Sequence, residues 1–170
     1  MLSIYPANSV GVPVSAVLLV SARNEDHDSL RSIFQGSRWE LQGAWTASEG
    51  RRVVQRGQCE IPVVICQHSL PDGDWKHLMA GLDRLAVRPS LIVSSRLADE
   101  RLWAEVLNLG AFDLLLGGPF EPKEVLRVTE SACLAYKRPA RRRAARRRGP
   151  GVAGNTAFTT VKTLTAGSQM

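Results

Sequence analysis

The sequence predicts one α/β domain built on a five-stranded parallel sheet with helices on both faces. Two observations predict it: five short apolar runs recur along the chain, and a segment with helical periodicity follows each run. Strands that alternate with helices form βαβ units, whose right-handed crossovers make the strands parallel. At 170 residues the chain has room for one such domain and a tail.

Five runs are predicted as strands because each is short, apolar and bounded by turn residues or polar segments. In chain order they cover residues 16–20, 39–45, 61–66, 90–94 and 112–116. The second alternates apolar and polar residues, as a strand with one drier face does. The others are mostly apolar, which is typical of buried parallel strands.

The helices are predicted from apolar residues at helical spacing and from signals at their ends. They run from Asp26 or Asp28 to near Gly36, from Thr46 or Ser48 to Gly57, from Asp74 to about Leu85, from Ala98 to Leu109, and from Pro122 to Tyr136. Polar caps, acidic first turns, a starting proline and terminal glycines are the signals that these segments use.

Charge divides the chain into an acidic body and a basic tail. Residues 1–136 contain 13 Lys and Arg against 16 Asp and Glu, a net charge of −3. Residues 137–170 contain nine cations and no acid, a net charge of +9. We therefore predict a flexible lead-in over 1–15, a domain over 16–137, and a basic tail over 138–170 that is disordered because it has little to bury.

Composition argues against several other classes of protein. No apolar run approaches the roughly 20 residues needed to span a bilayer, and residues 1–15 lack the pattern of a secretory signal. Cys59, Cys66 and Cys133 are scattered without ligand spacing, so we expect neither a disulfide framework nor a zinc site. No Gly-rich phosphate loop or nucleophile elbow occurs. These features predict a cytoplasmic protein that is not an enzyme.

The turn after the third apolar run is the most informative about function. Gln67 directly follows that run, and Leu70-Pro71-Asp72-Gly73 comes soon after it. In doubly wound folds, ligands bind at this edge of the sheet. Together with the segments 17–20, 91–95, 110–113 and 118–120, this turn resembles the receiver domain of two-component response regulators. The resemblance covers residues 16–137 and implies a flavodoxin-like sheet with strand order 2-1-3-4-5.

The resemblance also implies where the chemistry of a working receiver would lie. The acidic pair that holds Mg²⁺ falls on Ser21 and Ala22, the phosphoacceptor on Gln67, and the hydroxyl on Ser95. The lysine falls on Gly118 or on its neighbour Gly117, since the stretch between Gly110 and Pro119 is one residue longer than is usual in the family. A small glycine usual in the family falls on Trp75, and the switch aromatic falls near Leu114.

Four of those five positions have lost their chemistry. The amide of Gln67 is a poor nucleophile, and Gly118 supplies no ammonium group for the transferring phosphoryl. Mg²⁺ prefers carboxylate oxygens, which Ser21, Ala22 and Gln67 do not offer. We therefore expect no catalytic residue, no metal and no cofactor.

Polar residues near these positions could in principle supply the missing metal ligands or the missing phosphoacceptor. Glu25, Asp26 and Asp28 are interpreted as charges in the first turn of a helix, the alternative being displaced metal ligands. His68 could replace the acceptor, but a neighbour along a strand points to the opposite face.

Four other residues are assigned roles from their surroundings in the sequence. His27 and His77 are predicted on the surface, and Cys66 is interpreted as a small core residue rather than a reactive thiol. Trp103 is either an interface anchor or a core residue, because aromatic side chains serve in both places.

The basic run at residues 137–148 packs eight cations into twelve residues. Its candidate polyanion-binding residues are Arg141, Arg142, Arg143, Arg146, Arg147 and Arg148. Non-specific contact with nucleic acid, contact with an anionic membrane surface or acidic protein, and a solvated tail without a fixed partner all remain open, as does folding back on the acidic body.

Together these features predict an atypical receiver that takes part in phosphorelay-type signal transduction in a bacterial-type pathway. It would act independently of phosphorylation through contacts with signalling proteins, such as a histidine kinase, another receiver or a second copy. The alternative is a receiver-fold platform whose Arg-rich tail binds nucleic acid.

Overall fold

The computed structural model describes residues 15–147 of the chain, with side chains described as far as Tyr136. The main sheet contains β1 Ser15–Val20, β2 Trp39–Ala44, β3 Val63–Gln67, β6 Ser90–Ser95 and β7 Asp113–Leu116, and a small hairpin after β3 contains β4 Ser69–Leu70 and β5 Gly73–Asp74. The helices are α1 Asn24–Phe34, α2 Ala47–Arg56, α3 Trp75–Leu82, α4 Glu100–Asn108 and α5 Pro122–Arg147.

The main sheet is parallel throughout, in the order β2-β1-β3-β6-β7. Counting its five strands alone, this is the predicted order 2-1-3-4-5, so the predicted fold class is confirmed. The register aligns Val20 with Cys66 and Gln67 with Ser94. The carboxyl ends of the three central strands therefore meet at one edge.

Two hydrophobic clusters bury the two faces of the sheet. Because side chains alternate along a strand, Leu18 and Val64 pack on one face with residues of α2, α3 and α4. Leu19 and Ile65 pack on the other face with residues of α1 and α5. Among the described residues, no helix is long and apolar enough to cross a membrane.

Two helices begin after residues predicted at their starts. Asp74 accepts hydrogen bonds from the backbone amides of Lys76 and His77 at 3.0 and 3.1 Å, and Thr46 caps α2. Asp99, predicted in the first turn of the fourth helix, is instead the cap of α4.

Several helix ends differ from the prediction. α3 ends at Leu82 and not near Leu85, and α4 begins at Glu100 and not at Ala98. Neither Asp26 nor Asp28 caps α1, because the helix begins at Asn24 after Arg23, and Asp26 lies in its first turn. The helical backbone of α5 also continues past Tyr136 to Arg147, into the first part of the basic run.

The Leu70-Pro71-Asp72-Gly73 turn connects β4 to β5 and is tied to α2. The carboxylate of Asp72 accepts hydrogen bonds from the amides of Ala47 and Ser48 at 2.8 and 2.9 Å. Partial burial acts to raise the pKa of Asp72, but these hydrogen bonds outweigh it and lower that pKa. The turn is thereby held against the start of a neighbouring helix.

Candidate functional site

A pocket of about 300 Å³ opens at the edge where β1, β3 and β6 end. Its polar lining includes Arg23, Asp26, Gln67, His68, Ser95 and Arg96, with Leu97 and Leu102 on an apolar side. This is the edge at which doubly wound sheets bind ligands. Of the two glycines considered for the lysine position, Gly117 lines the pocket.

A hydrogen-bond network joins the positions where a receiver would hold its metal and its acceptor. The Ser21 hydroxyl lies 2.7 Å from Asp26 Oδ2 and 2.9 Å from Gln67 Oε1. Its single hydrogen serves one acceptor at a time, and the shorter contact to a carboxylate is the stronger. The Ala22 backbone amide donates to Gln67 Oε1 at 3.1 Å. Asp26 therefore accepts from Ser21, and Gln67 Oε1 accepts from Ala22.

Arg96, immediately after the predicted hydroxyl position, places a cation at the acidic residues of α1. Its Nη2 lies 3.6 Å from Asp26 Oδ1 and 3.8 Å from Glu25 Oε2. Asp26 is 4% exposed, so its charge is buried and needs a partner. The guanidinium supplies positive charge at this edge without a metal ion.

The backbone at Gly118 explains why this position carries no side chain. Its φ is +76°, which favours glycine, and a Cβ there would lie 2.7 Å from Arg96 Cζ. A lysine at this position would have to adopt strained backbone and displace the Arg96 guanidinium. Arg96 and Gly118 therefore fit together as a pair.

The Ser95 hydroxyl is the one predicted position that keeps its chemical type, and it is engaged locally. It lies 3.2 Å from the Leu97 carbonyl oxygen, to which it donates, and accepts from the Leu97 amide at 3.3 Å. This arrangement closes the turn after β6. Ser95 thus shapes the pocket rim.

The residues at this edge do not fit Mg²⁺. The oxygen of Gln67 already accepts a backbone hydrogen bond, and the carboxylate nearest to it, Asp26, is bound to Ser21 and faces Arg96. Mg²⁺ needs near-octahedral oxygen ligands, usually with a carboxylate free to coordinate. No group of three acidic, histidine or cysteine side chains in residues 15–147 is arranged to hold a metal.

The structure corrects two histidine assignments. His27 was predicted on the surface but is 4% exposed: its Nε2 donates to the Ser21 carbonyl at 2.9 Å, and its ring stacks on Trp45 with centroids 4.1 Å apart. His68 was predicted to face away from the pocket but is among the residues that line it. His77 is exposed, as predicted.

Cys66 is a core residue, as predicted. It is fully buried, and its thiol lies 3.3 Å from the Gln67 carbonyl. Burial, reinforced by the negative charges of Asp74 and Asp72, raises the pKa of the Cys66 thiol far above its ordinary value. It is therefore not a thiolate nucleophile.

Trp103 lies on the surface of α4, with 52% of its area exposed, so the alternative that it packs in the core is wrong. Leu97, which precedes α4, and Leu116, the last residue of β7, are also exposed, at 88% and 63%. Leu114, near the predicted switch position, is partly buried against the core. An interface at Trp103 stays a prediction.

The candidate polyanion-binding arginines lie beyond the described side chains. The backbone of Arg141, Arg142, Arg143, Arg146 and Arg147 belongs to α5, and Arg148 lies outside the described residues. The lead-in over 1–14 and the chain from 148 onwards also lie outside them. The domain boundaries at 15/16 and 137/138 stay predictions.

Sequence reasoning missed the part that Arg96 plays and misjudged Asp26. Arg96 follows Ser95 at the end of a predicted strand, and its position at the ligand-binding edge was the available signal. Asp26 looked like an ordinary charge in a first turn. Its burial depends on the loops after β1, β3 and β6 meeting, which no local pattern encodes.

No protein-family model and no curated protein matches this sequence. Solved structures do match. The signal receiver domain of an HD domain-containing protein from Pseudomonas fluorescens Pf-5 is similar with a TM-score of 0.68 at 20% identity, over 79% of this chain and 98% of that one.

Two further structures support the same conclusion about fold. A CheY-like response regulator receiver domain protein from Methanospirillum hungatei JF-1 has a TM-score of 0.62 at 20% identity, over 74% of this chain and 98% of that one. The CheX–CheY–BeF3–Mg complex from Borrelia burgdorferi gives 0.62 at 20% identity, over 69% and 87%. The chain therefore has the CheY-like receiver fold.

Proposed function

We propose that this protein is a non-enzymatic receiver module that takes part in signal transduction independently of phosphorylation, through protein–protein contacts in the cytoplasm. One observation carries the proposal: the Ser21–Gln67–Asp26 network and the Arg96 guanidinium occupy the place where a receiver needs a metal, a carboxylate nucleophile and a lysine. An edge satisfied in this way retains the fold without the phosphoryl chemistry.

The surface of α4 and the segments beside it supports the contact part of the proposal. Trp103, Leu97 and Leu116 expose large apolar side chains, and aromatic residues are enriched in protein interfaces. A histidine kinase, another receiver or a second copy of this chain are the partners that we propose for such a module. The Borrelia burgdorferi structure, a complex of CheX with CheY, is a precedent for a receiver-like protein bound to another protein.

A phosphodonor experiment tests the proposed independence. The full chain is incubated with acetyl phosphate and MgCl₂, and a phosphorylatable receiver is treated in parallel. We expect the intact mass of this protein under denaturing conditions to stay unchanged, because Gln67 offers no carboxylate oxygen to attack phosphorus. A phosphoryl adduct on this chain, at a level comparable with the parallel receiver, would refute the proposal.

A second function is favoured by the continuation of α5 into the basic run. Because α5 reaches Arg147, the first part of the basic run continues the last helix of the domain. Clustered cations attract the phosphates of a polyanion. In this alternative the receiver fold is a platform and the run binds nucleic acid without sequence specificity.

A salt titration with duplex DNA tests that alternative. If it holds, affinity falls steeply as salt rises, because neutralised phosphates release counterions, and deletion of residues 138–170 abolishes binding. The absence of binding at low salt would refute it.

A further inference from the structure

The pocket beside Gln67 presents hydrogen-bond donors to the space it encloses. The Ala22 amide can only donate, so it fixes the Oε1 atom of Gln67 towards β1 at 3.1 Å. The amide nitrogen of Gln67 is therefore the atom left to the pocket that this residue lines. It makes no hydrogen bond to the described residues and carries two N–H groups.

The two arginines of the pocket add N–H donors that make no hydrogen bond of good geometry at the atoms described below. Arg96 lies 3.6 and 3.8 Å from its acidic partners, which is longer than a hydrogen bond, and donates no side-chain hydrogen bond to the described residues. Arg23 Nε lies 3.3 Å from Glu25 Oε2, yet it is buried and has no hydrogen bond of acceptable geometry within residues 15–147. Both guanidinium groups can turn donors towards a ligand.

Few acceptors compete for those donors inside the pocket. Asp26 is the one carboxylate among the described lining residues, and Ser21 already occupies its Oδ2. Leu97 and Leu102 form an apolar side, and the volume of about 300 Å³ suits a small molecule. Arginine and amide N–H groups facing a partly apolar space match the oxygens of a carboxylate or phosphate.

We propose that this pocket binds a small organic oxyanion reversibly, without a metal and without forming a covalent bond. Arg96, Arg23 and the Gln67 amide nitrogen hold the carboxylate or phosphate group, and the apolar part of the ligand lies against Leu97 and Leu102. This proposal goes beyond the phosphorylation-independent role, since a module that ignores phosphodonors can still respond to a bound metabolite.

The test is a nuclear magnetic resonance titration of the full ¹⁵N-labelled chain. Sodium phosphate, sodium acetate, phenyl phosphate and sodium chloride are compared at matched ionic strength and without divalent cations. We expect saturable shifts at the Ala22, Gln67 and Arg96 amides with oxyanions and none with chloride. Tighter binding of phenyl phosphate than of phosphate would show that the apolar side contributes, and the acetate arm distinguishes carboxylate from phosphate recognition.

Matched variants locate the binding. Gln67→Glu replaces two donors by a charged acceptor and should weaken oxyanion binding by about tenfold or more, because like charges repel at this distance. Gln55→Glu makes the same change of charge on the exposed face of α2 and should leave the affinity unchanged. Arg96→Gln should also weaken binding, whereas Arg84→Gln, at an exposed site, should not.

Three results would overturn the proposal. The first is the absence of saturable shifts with every oxyanion. The second is an unchanged affinity in the Gln67→Glu variant, provided that its spectrum shows a folded protein. The third is a set of shifts confined to residues after Lys137, which would assign the anions to the basic run.

Discussion

Replacing Trp75 by alanine is expected to lower the free energy of unfolding by about 3–5 kcal/mol, as for other large aromatic residues deleted from a core. Trp75 is fully buried and shares its cluster with Val20 and Cys66, which precede Ser21 and Gln67. Where the receiver family usually has a small glycine, this chain thus has a large core residue. Urea unfolding followed by circular dichroism measures the change.

A second substitution at the same site separates packing from hydrogen bonding. The Nε1 of Trp75 is buried without a hydrogen-bond partner among the described residues. Trp75→Phe keeps an aromatic ring and removes that unpaired N–H, so its loss should be smaller than that of Trp75→Ala. Equal losses for both variants would show that packing of the ring does not provide the stability.

Replacing Asp26 by alanine is expected to lower the free energy of unfolding by about 2 kcal/mol, the usual range for a hydrogen bond to a charged group. The change removes the acceptor of the Ser21 hydroxyl and leaves Arg96 with Glu25 alone, 3.8 Å away. Urea unfolding at neutral pH measures the loss.

Asp26→Asn is the matched control because its amide oxygen still accepts from Ser21. Its loss reports the charge that faces Arg96, and the remainder of the alanine effect reports the hydrogen bond. If both variants are as stable as the wild type, Asp26 acts only as a charge in the first turn of α1, as the sequence suggested, and the network has no energetic importance.

The fold could be predicted from the sequence because its signals are local. Apolar runs such as 16–20 and 90–94 define buried strands, and Thr46 and Asp74 mark the starts of the helices that they cap. Alternation of strands and helices then restricts the topology to few choices. The order of the five strands, by contrast, was predicted from the resemblance to receiver domains and not from the pattern alone.

The site was less predictable because its parts come from separate loops. The prediction that His27 lies on the surface was wrong although the helical pattern indicated its burial. His27 precedes Leu30 by three residues, and this spacing places both on the buried face of α1. The pairing of Arg96 with Asp26 has no such signal, because 70 residues separate them in the sequence. His68, which strand alternation assigned to the opposite face, is also among the residues that line the pocket.

The proposed function requires a carboxyl edge of the sheet that binds no Mg²⁺. The most direct measurement is a titration of the full ¹⁵N-labelled chain with MgCl₂ at constant ionic strength, following the amides of Ala22, Gln67 and Arg96. We predict no saturable shift, because Arg96 faces the buried carboxylate and the Gln67 oxygen accepts from Ala22. Saturable shifts of these three amides on addition of Mg²⁺ would contradict the proposed function.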